Sequence, residues 1–247
     1  MDLVARHYES LLAAHYTWMS GMPLAEKVAE QQALLKDLEV PDKAKGVAID
    51  LGSGPGYQAL ALTELGYDRV LAIDTSRRLL DELAGVRGNR PIETVRADLR
   101  TFANFVSPGA AAAAVCMGDT LTHLESRSDI SKLFRDAFDS LAPGGRLVLT
   151  FRDFSSELTG LDRFLPVCAD QDRIMLCVLD YGLETVNVND LIYIREGDGW
   201  MLHKSSYRKL RLAPGWIAEE LTDRGFIVDH DRQIGRMHAI SARKSAD

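Results

Sequence analysis

An apolar strand that runs directly into three alternating glycines constrains the fold of this chain more than any other feature. Residues 47–57 read VAIDLGSGPGY, and an apolar, helix-like segment at 58–65 follows at once. Glycine accepts positive φ and lets a ligand approach the backbone closely. The N-terminus of the following helix offers free N–H groups. The stretch therefore predicts a cofactor cradle at the carboxyl end of a first parallel strand.

The spacing of the glycines indicates which ligand the cradle suits. Gly52 and Gly54 match the dinucleotide fingerprint G-x-G-x-x-G, but Tyr57 stands where the third glycine belongs, and Gly56 comes one residue early. If Asp50 faces the cofactor, its carboxylate would repel a pyrophosphate and suit a cationic ligand. A glycine-rich turn without a ligand is the alternative interpretation.

Size and composition narrow the class of protein. At 247 residues, the chain forms one large domain or one domain with an insert. A net charge of −7 favours a small-molecule substrate over a nucleic acid. The three cysteines show no metal or redox spacing, which fits a reducing cytosol. We expect a cytoplasmic protein with no signal peptide, membrane span or bound metal.

Two further predicted strands end in acids. Asp74 closes the apolar strand at 69–74, where the second strand of a βαβ unit delivers a ribose-binding carboxylate. An exposed loop acid is the alternative for this residue. Asp98 lies near the end of a third strand at 92–99 and is followed by the apolar Leu99. Asp98 could instead be a helix N-cap.

The remaining elements follow from hydrophobic periodicity and turn residues. Helices are predicted at 2–19 and 23–39, a fourth strand at 110–117, a helix at 127–141, a Pro-Gly-Gly turn at 143–145 and a fifth strand at 146–151. Strands at 174–181, 185–195 and 200–212 predict an antiparallel meander whose last strand continues into the main sheet. A helix at 214–224 and a hairpin at 226–229 and 237–243 complete the order.

The glycine motif, the two acids and the Pro-Gly-Gly turn together resemble the class I S-adenosylmethionine (SAM) methyltransferases. The resemblance implies an α/β, Rossmann-like fold, with a seven-stranded, mostly parallel sheet and helices on both faces. By layout, the N-terminal helices and the antiparallel β insert resemble the cap of small-molecule methyltransferases. The implied parts are a helical cap at 1–45, a SAM-binding core at 46–151, a substrate cap at 152–200 and the C-terminal part of the core sheet at 201–247.

This resemblance implies transfer of a methyl group from SAM to an N or O nucleophile of a small molecule, with S-adenosylhomocysteine (SAH) as the product. Tyr16 and Trp18 are placed beside the flexible Gly21, where they could close over the cofactor or simply pack the helix. The implied cofactor-binding residues are Asp50, Gly52, Ser53, Gly54, Gly56, Asp74, Thr75, Asp98, Leu99, Met117, Tyr16 and Trp18.

His123 is the candidate catalytic base, because its ordinary pKa is near neutral and its loop lies beside the transferred methyl in the resembling family. A packing or surface histidine is the alternative. The candidate substrate residues are Arg152, Tyr181, His203 and Tyr207, with a structural role as the alternative for each. A SAM-binding protein without catalysis and a nicotinamide-dependent oxidoreductase are the other functions considered. Asp50 and Tyr57 argue against the oxidoreductase.

Overall fold

The computed structural model describes residues 3–42 and 46–245. The described strands, numbered along the chain, are β1 (Val47–Leu51), β2 (Arg69–Asp74), β3 (Ile92–Arg96), β4 (Ala111–Cys116), β5 (Leu141–Phe151), β6 (Phe164–Ala169), β7 (Arg173–Tyr181), β8 (Thr185–Glu196), β9 (Gly199–Leu210), β10 (Phe226–Ile234) and β11 (Met237–Lys244). The helices are α1 (Leu3–Ser10), α2 (Tyr16–Met19), α3 (Leu24–Asp37), α4 (Tyr57–Glu64), α5 (Arg77–Val86), α6 (Arg127–Ser140) and α7 (Pro214–Asp223).

The larger sheet has seven strands in the order β10-β11-β5-β4-β1-β2-β3. The neighbouring pairs among β1 to β5 are parallel, whereas β11 runs antiparallel to both β5 and β10. The central strands β1 and β4 are almost wholly apolar, as expected for strands covered on both faces. The predicted seven-stranded, mostly parallel sheet is confirmed.

Helices cover both faces of this sheet and form two hydrophobic cores. One core joins α3 and α4 to the strands through side chains such as Leu35 and Leu62. The other joins α6 and α7 through Phe134 and Ile217. No helix among the described residues is long and apolar enough to cross a membrane.

The smaller sheet has four antiparallel strands in the order β6-β7-β8-β9. The prediction that the last meander strand continues into the main sheet is wrong, because β9 pairs with β8 from Gly199 to Leu210. His203 and Tyr207 consequently lie on the smaller sheet and not on the sixth core strand. The predicted boundary between 152–200 and 201–247 falls inside β9 for the same reason.

The sequence patterns also missed or misplaced shorter elements. The strand β6 was not predicted; it carries Pro166 and lies at the edge of the smaller sheet, where proline is tolerated. The fifth strand begins at Leu141 and contains the predicted Pro-Gly-Gly turn as an irregularity in its pairing with β4. The third strand ends at Arg96, so that Leu99 begins a 3₁₀ helix.

The predicted helix at 2–19 is broken in the structure, and its first predicted residue lies outside the described ranges. After α1, a 3₁₀ turn spans Leu12–Ala14, and α2 follows. The break lets both Leu11 and Leu12 be buried against Met175 and Ile192 of the smaller sheet. A continuous helix would turn these two adjacent side chains about 100° apart. The N-terminal segment is therefore shaped by the smaller sheet.

Candidate active site

The carboxyl ends of β1, β2 and β4 open into two cavities that share Tyr16 and Gly52. The first cavity is lined by Val4, Tyr8, Tyr16, Gly52, Gly54, Ile73, Asp74, Thr75, Leu79, Ala97, Asp98, Leu99, Arg100, Thr120, His123, Leu124 and Glu125. The second cavity is lined by Tyr16, Met19, Ser20, Lys27, Glu30, Gln31, Leu34, Gly52, Ser53, Pro55, Tyr57, Gln58, Met117, Gly118, Asp119, Thr150, Arg152, Ile234 and Met237. This is the edge at which open α/β sheets bind ligands.

The three glycines of the loop after β1 serve different purposes. All have positive φ. A Cβ on Gly52 would lie 2.3 Å from Thr120 Cγ2, and one on Gly56 would lie 2.2 Å from Leu83 Cδ1. A Cβ on Gly54 would only reach ordinary contact with Tyr16, at 3.7 Å. Gly52 and Gly56 are thus required by packing, whereas Gly54 keeps the backbone open at the wall of the first cavity.

Asp74 lies at the end of β2, where the sequence places it. Its two carboxylate oxygens accept one backbone hydrogen bond each, from Gly54 N at 2.8 Å and from Ser76 N at 2.8 Å. Burial raises the pKa of Asp74, and these hydrogen bonds partly offset the rise. Each oxygen retains a lone pair for a further donor. Asp74 and Thr75 both line the first cavity.

Asp98 is the N-cap of the 3₁₀ helix Leu99–Phe105. The sequence left this role open as the alternative to cofactor binding. Its carboxylate accepts from Arg100 N at 2.8 Å and from the Arg100 guanidinium at 2.6 Å. Burial would raise the pKa of Asp98, but the Arg100 hydrogen bonds and charge outweigh it and lower the pKa. Asp98 and Leu99 also line the first cavity, so their predicted contact with the cofactor stays a prediction.

Asp50 lies beneath the glycine loop and lines neither of the two cavities. It is almost fully buried, and its Oδ2 has no hydrogen-bond partner among the described residues. Burial raises the pKa of Asp50 to about 8. The carboxyl is therefore largely protonated at neutral pH and does not provide the negative charge that we expected it to present to a cationic ligand.

Ser53 and Met117 line the second cavity and not the first. The Ser53 hydroxyl and the Tyr57 phenol of the same cavity are buried and have no partner among the described residues. Tyr16 lines both cavities and separates them. Trp18, by contrast, stacks under Arg173 of β7 at 4.5 Å, so its observed role is packing.

His123 lies at the far end of the first cavity, on a 3₁₀ turn after β4. Its Nε2 is 3.5 Å from the Tyr8 hydroxyl, and its ring stacks on Tyr207 at 5.4 Å. Burial lowers the pKa of His123 well below its usual range, and the Lys209 charge lowers it further. Burial raises the pKa of the Tyr8 phenol, so Tyr8 stays protonated. Its hydroxyl can accept from Nε2–H or donate to Nε2, depending on the tautomer of the imidazole. Tyr8 was not identified from the sequence, because 115 residues separate it from His123.

Asp119, which follows β4, is held by two cations. The Asp119 Oδ2 atom accepts from Lys209 Nζ at 2.8 Å and lies 3.2 Å from Arg152 Nε. The Arg152 backbone N–H donates to Asp119 Oδ1 at 2.7 Å. Burial raises the pKa of Asp119, but Lys209 and Arg152 outweigh it and bring the pKa to about 2. Neither Asp119 nor Lys209 was identified from the sequence. A charged residue in a strand such as β9 is ordinarily predicted to face solvent.

The other predicted substrate residues lie outside both cavities. Tyr207 is buried between the His123 and His7 rings and supports the cavity wall from behind. Tyr181 packs against the Arg211 guanidinium at 5.4 Å. His203 lies on β9, paired with Ile192. Arg152 alone of these four candidates lines a cavity, the second one.

The charged lining decides between the classes of cofactor considered. Three acids, Asp74, Asp98 and Glu125, and one cation, Arg100, line the first cavity. This excess of negative charge disfavours a pyrophosphate and suits a ligand that carries a sulfonium and an ammonium. The donors and acceptors therefore fit SAM better than a nicotinamide dinucleotide.

Comparison with known proteins agrees with this geometry. A family described as "Methyltransferase domain" matches residues 48–145. The glycine/sarcosine N-methyltransferase of Halorhodospira halochloris is 30% identical over 112 residues, which are 44% of this chain and 41% of that protein. The chain thus matches less than half the length of this curated relative.

Solved structures share the whole fold at low identity. The CcbJ methyltransferase from Streptomyces caelestis superposes with a TM-score of 0.76 at 18% identity, over 97% of this chain and 98% of that one. SAM-bound CalS10, an amino pentose methyltransferase from Micromonospora echinaspora, gives a TM-score of 0.71 at 14% identity, over 94% and 95% of the two chains. These likenesses establish the architecture, including the smaller sheet.

Proposed function

We propose that this chain, whose residues 48–145 match a family described as a methyltransferase domain, transfers a methyl group from SAM to the nitrogen of a small amine. The observation that carries the proposal is the single cavity that is lined by Gly54, Asp74 and Asp98 together with His123. The name of the curated relative, a glycine/sarcosine N-methyltransferase, supports nitrogen as the acceptor.

The two cavities together would offer a contact for each part of the cofactor. Asp74 would accept hydrogen bonds from the ribose hydroxyls, and Asp98 and Leu99 would contact the adenine. Ser53 and Met117 of the second cavity would face the amino-acid tail. SAM supplies an electrophilic methyl group on its sulfur when bound. The task of the protein is to hold the acceptor in line with that methyl group at close range.

His123 would accept the proton that the acceptor nitrogen loses. An amine attacks only through a free lone pair, so an ammonium must first be deprotonated. The low pKa of His123 keeps the imidazole neutral at physiological pH, so that one ring nitrogen has a lone pair for the proton, and it also makes the imidazole a weak base. The Tyr8 hydroxyl would orient the ring by accepting from Nε2–H. This tautomer leaves the Nδ1 lone pair, which has no partner among the described residues, to take up the proton.

Arg152 would bind an anionic group of the acceptor. Its Nε is fixed by Asp119, while its two terminal nitrogens have no partner among the described residues. The guanidinium is 44% exposed and lines the second cavity. A planar guanidinium edge of this kind matches a carboxylate. An amine that also carries a carboxylate fits the two cavities best.

The test is transfer of label from methyl-labelled SAM to amines, with SAH formation measured in parallel. Glycine, sarcosine and an amino sugar are compared with their hydroxyl analogues, and we expect label in the amines only. The His123→Asn variant should lose about 10²–10⁴-fold in kcat and retain the wild-type Kd for SAH. Tight SAM binding without turnover of any amine would instead indicate a binding protein, and tighter binding of NADH an oxidoreductase.

A further inference from the structure

Lys209 is a fully buried cation that reaches from the smaller sheet to the edge of the larger one. Its side chain is 6% exposed, and its Nζ donates to Asp119 Oδ2 at 2.8 Å. The ammonium also lies over the rings of Tyr207 and Phe154, at 5.7 and 5.9 Å. Burying a lysine costs free energy because its ammonium loses solvation. Buried lysines are therefore found where a partner compensates for that loss.

A contribution to folding stability does not by itself explain why the Lys209–Asp119 pair is buried. A buried ion pair is often replaced by apolar residues without loss of stability. Here the pair adjoins the second cavity, and Asp119 adopts a left-handed backbone conformation, with φ of 76°. That conformation is uncommon for a residue other than glycine and often marks a functional site. The Lys209–Asp119 pair therefore affects Arg152, because Asp119 also binds the Arg152 side chain.

The charges of this cluster do not cancel. Asp119 contributes one negative charge, and Lys209 and Arg152 contribute one positive charge each, which leaves one positive charge in excess. Tyr207 contacts both groups, because the Lys209 ammonium lies 5.7 Å from the centre of its ring and the His123 imidazole stacks on that ring at 5.4 Å. The excess charge is therefore close to His123 and opposes a second positive charge on its ring.

The groups that face His123 come from four elements. They are Tyr8 and His7 of α1, Asp119 of its own loop, Arg152 at the end of β5, and Tyr207 and Lys209 of β9. Asp190 of β8 binds His7 from behind at 3.0 Å. Glu125 and Arg100 line the same cavity. In this set, Lys209 is the buried cation that a substitution can neutralise without altering a cavity-lining side chain.

We propose that Lys209 is a positioning residue of the acceptor site, which fixes Arg152 through Asp119 and holds a positive charge beside the Tyr207 ring on which His123 stacks. The proposed effect of Lys209 on acceptor binding rests on the proposed function, whereas its proposed effect on the protonation of His123 does not. Sequence distance hides this role, because 90 residues separate Lys209 from Asp119.

The experiment is an NMR titration of the His123 imidazole in the full chain from pH 8.5 down to about pH 3.5, because the wild-type midpoint lies well below the usual range of histidine. The signal is assigned by its loss in His123→Asn. Lys209→Gln removes the charge and keeps a donor for Asp119, and we expect the His123 midpoint to rise by about one unit or more. Lys209→Arg keeps the charge and should leave the midpoint at its wild-type position. An unchanged midpoint in folded Lys209→Gln would overturn the proposal.

Kinetics test the effect on Arg152 and supply a second variant if Lys209→Gln does not fold. Lys209→Met combined with Asp119→Asn neutralises both buried groups and releases the guanidinium. We expect the acceptor KM to rise about tenfold or more, with the Kd for SAH unchanged, as for loss of a charged hydrogen bond. A wild-type acceptor KM in this folded double variant would contradict the proposal. Absence of transfer in the wild type would count against the proposed function alone, since the titration needs no turnover.

Discussion

The Asp74 carboxylate joins the two loops that would enclose the ribose. It accepts from Gly54 of the glycine loop and from Ser76 at the start of α5, both at 2.8 Å. A ribose diol would therefore meet a carboxylate whose orientation is already fixed. Fixing a binding group in advance reduces the ordering cost of binding. The same contacts mean that a substitution at this position also loosens the loop.

Asp74→Ala should weaken SAH binding by about 1.5–3 kcal/mol for each charged hydrogen bond lost. Isothermal titration calorimetry measures the change, and the thermal melt verifies that the variant is folded. Asp81→Ala is the matched control, because Asp81 lies on the adjoining helix α5 with its side chain 71% exposed. If the folded Asp74→Ala variant binds SAH as tightly as the control does, Asp74 does not contact the cofactor.

At the level of elements, the N-terminal segment links the two sheets at the site. α1 inserts His7 against Asp190 at 3.0 Å and stacks it on Tyr207 at 4.2 Å. After the break, Tyr16 of α2 lines both cavities, and Gly21 follows with φ of 66°. The segment thus contributes side chains to the cavity walls while its own fixed contacts are on the smaller sheet.

SAH should slow amide hydrogen exchange in residues 8–22 more than in the smaller sheet. Tyr16 lies at the junction of the two cavities, so a ligand that fills both would order the segment around it. Exchange measured by mass spectrometry with and without SAH provides the comparison. A Tyr16→Ala variant should lose most of the added protection, whereas Thr17→Ala, whose side chain points to the exposed Glu82, should keep it. Equal protection with and without SAH would show that the segment only packs.

The elements predicted from the sequence are those with a strong local signal. The strands β1 and β2, the glycine loop and α6 follow from apolar runs, turn residues and periodicity, and they place Gly54, Asp74 and His123 in one cavity. Tyr8, Asp119 and Lys209 could not be predicted, because their roles arise from contacts between residues far apart in the chain. The break after α1 was also hidden, because it depends on burial of Leu11 and Leu12 against a sheet that follows 160 residues later in the chain.

For the whole molecule, the two sheets share one polar layer that determines how stability depends on pH. His7–Asp190 and Lys209–Asp119 lie in this layer, and Asp50 lies below it in the centre of the larger sheet. The pKa of Asp119, at about 2, favours the folded state above the pKa of an unfolded aspartate. Asp50 acts in the opposite direction, because burial raises its pKa to about 8.

The last prediction therefore concerns Asp50→Asn. The ordinary pKa of this side chain is 3.8, so between pH 4 and 8 the folded protein keeps a proton that the unfolded chain releases. The stability contributed by Asp50 is fully present below pH 4 and is lost as the pH rises through 8, by at most about 1.4 kcal/mol per pH unit. Asparagine stays neutral, so the free energy of unfolding of the variant, measured in urea, should rise relative to that of the wild type from pH 5 to about pH 8 and level off above it. The exposed Asp81→Asn should track the wild type. Parallel pH profiles for Asp50→Asn and the wild type would mean that Asp50 is ionised in the folded protein and has a charged partner there.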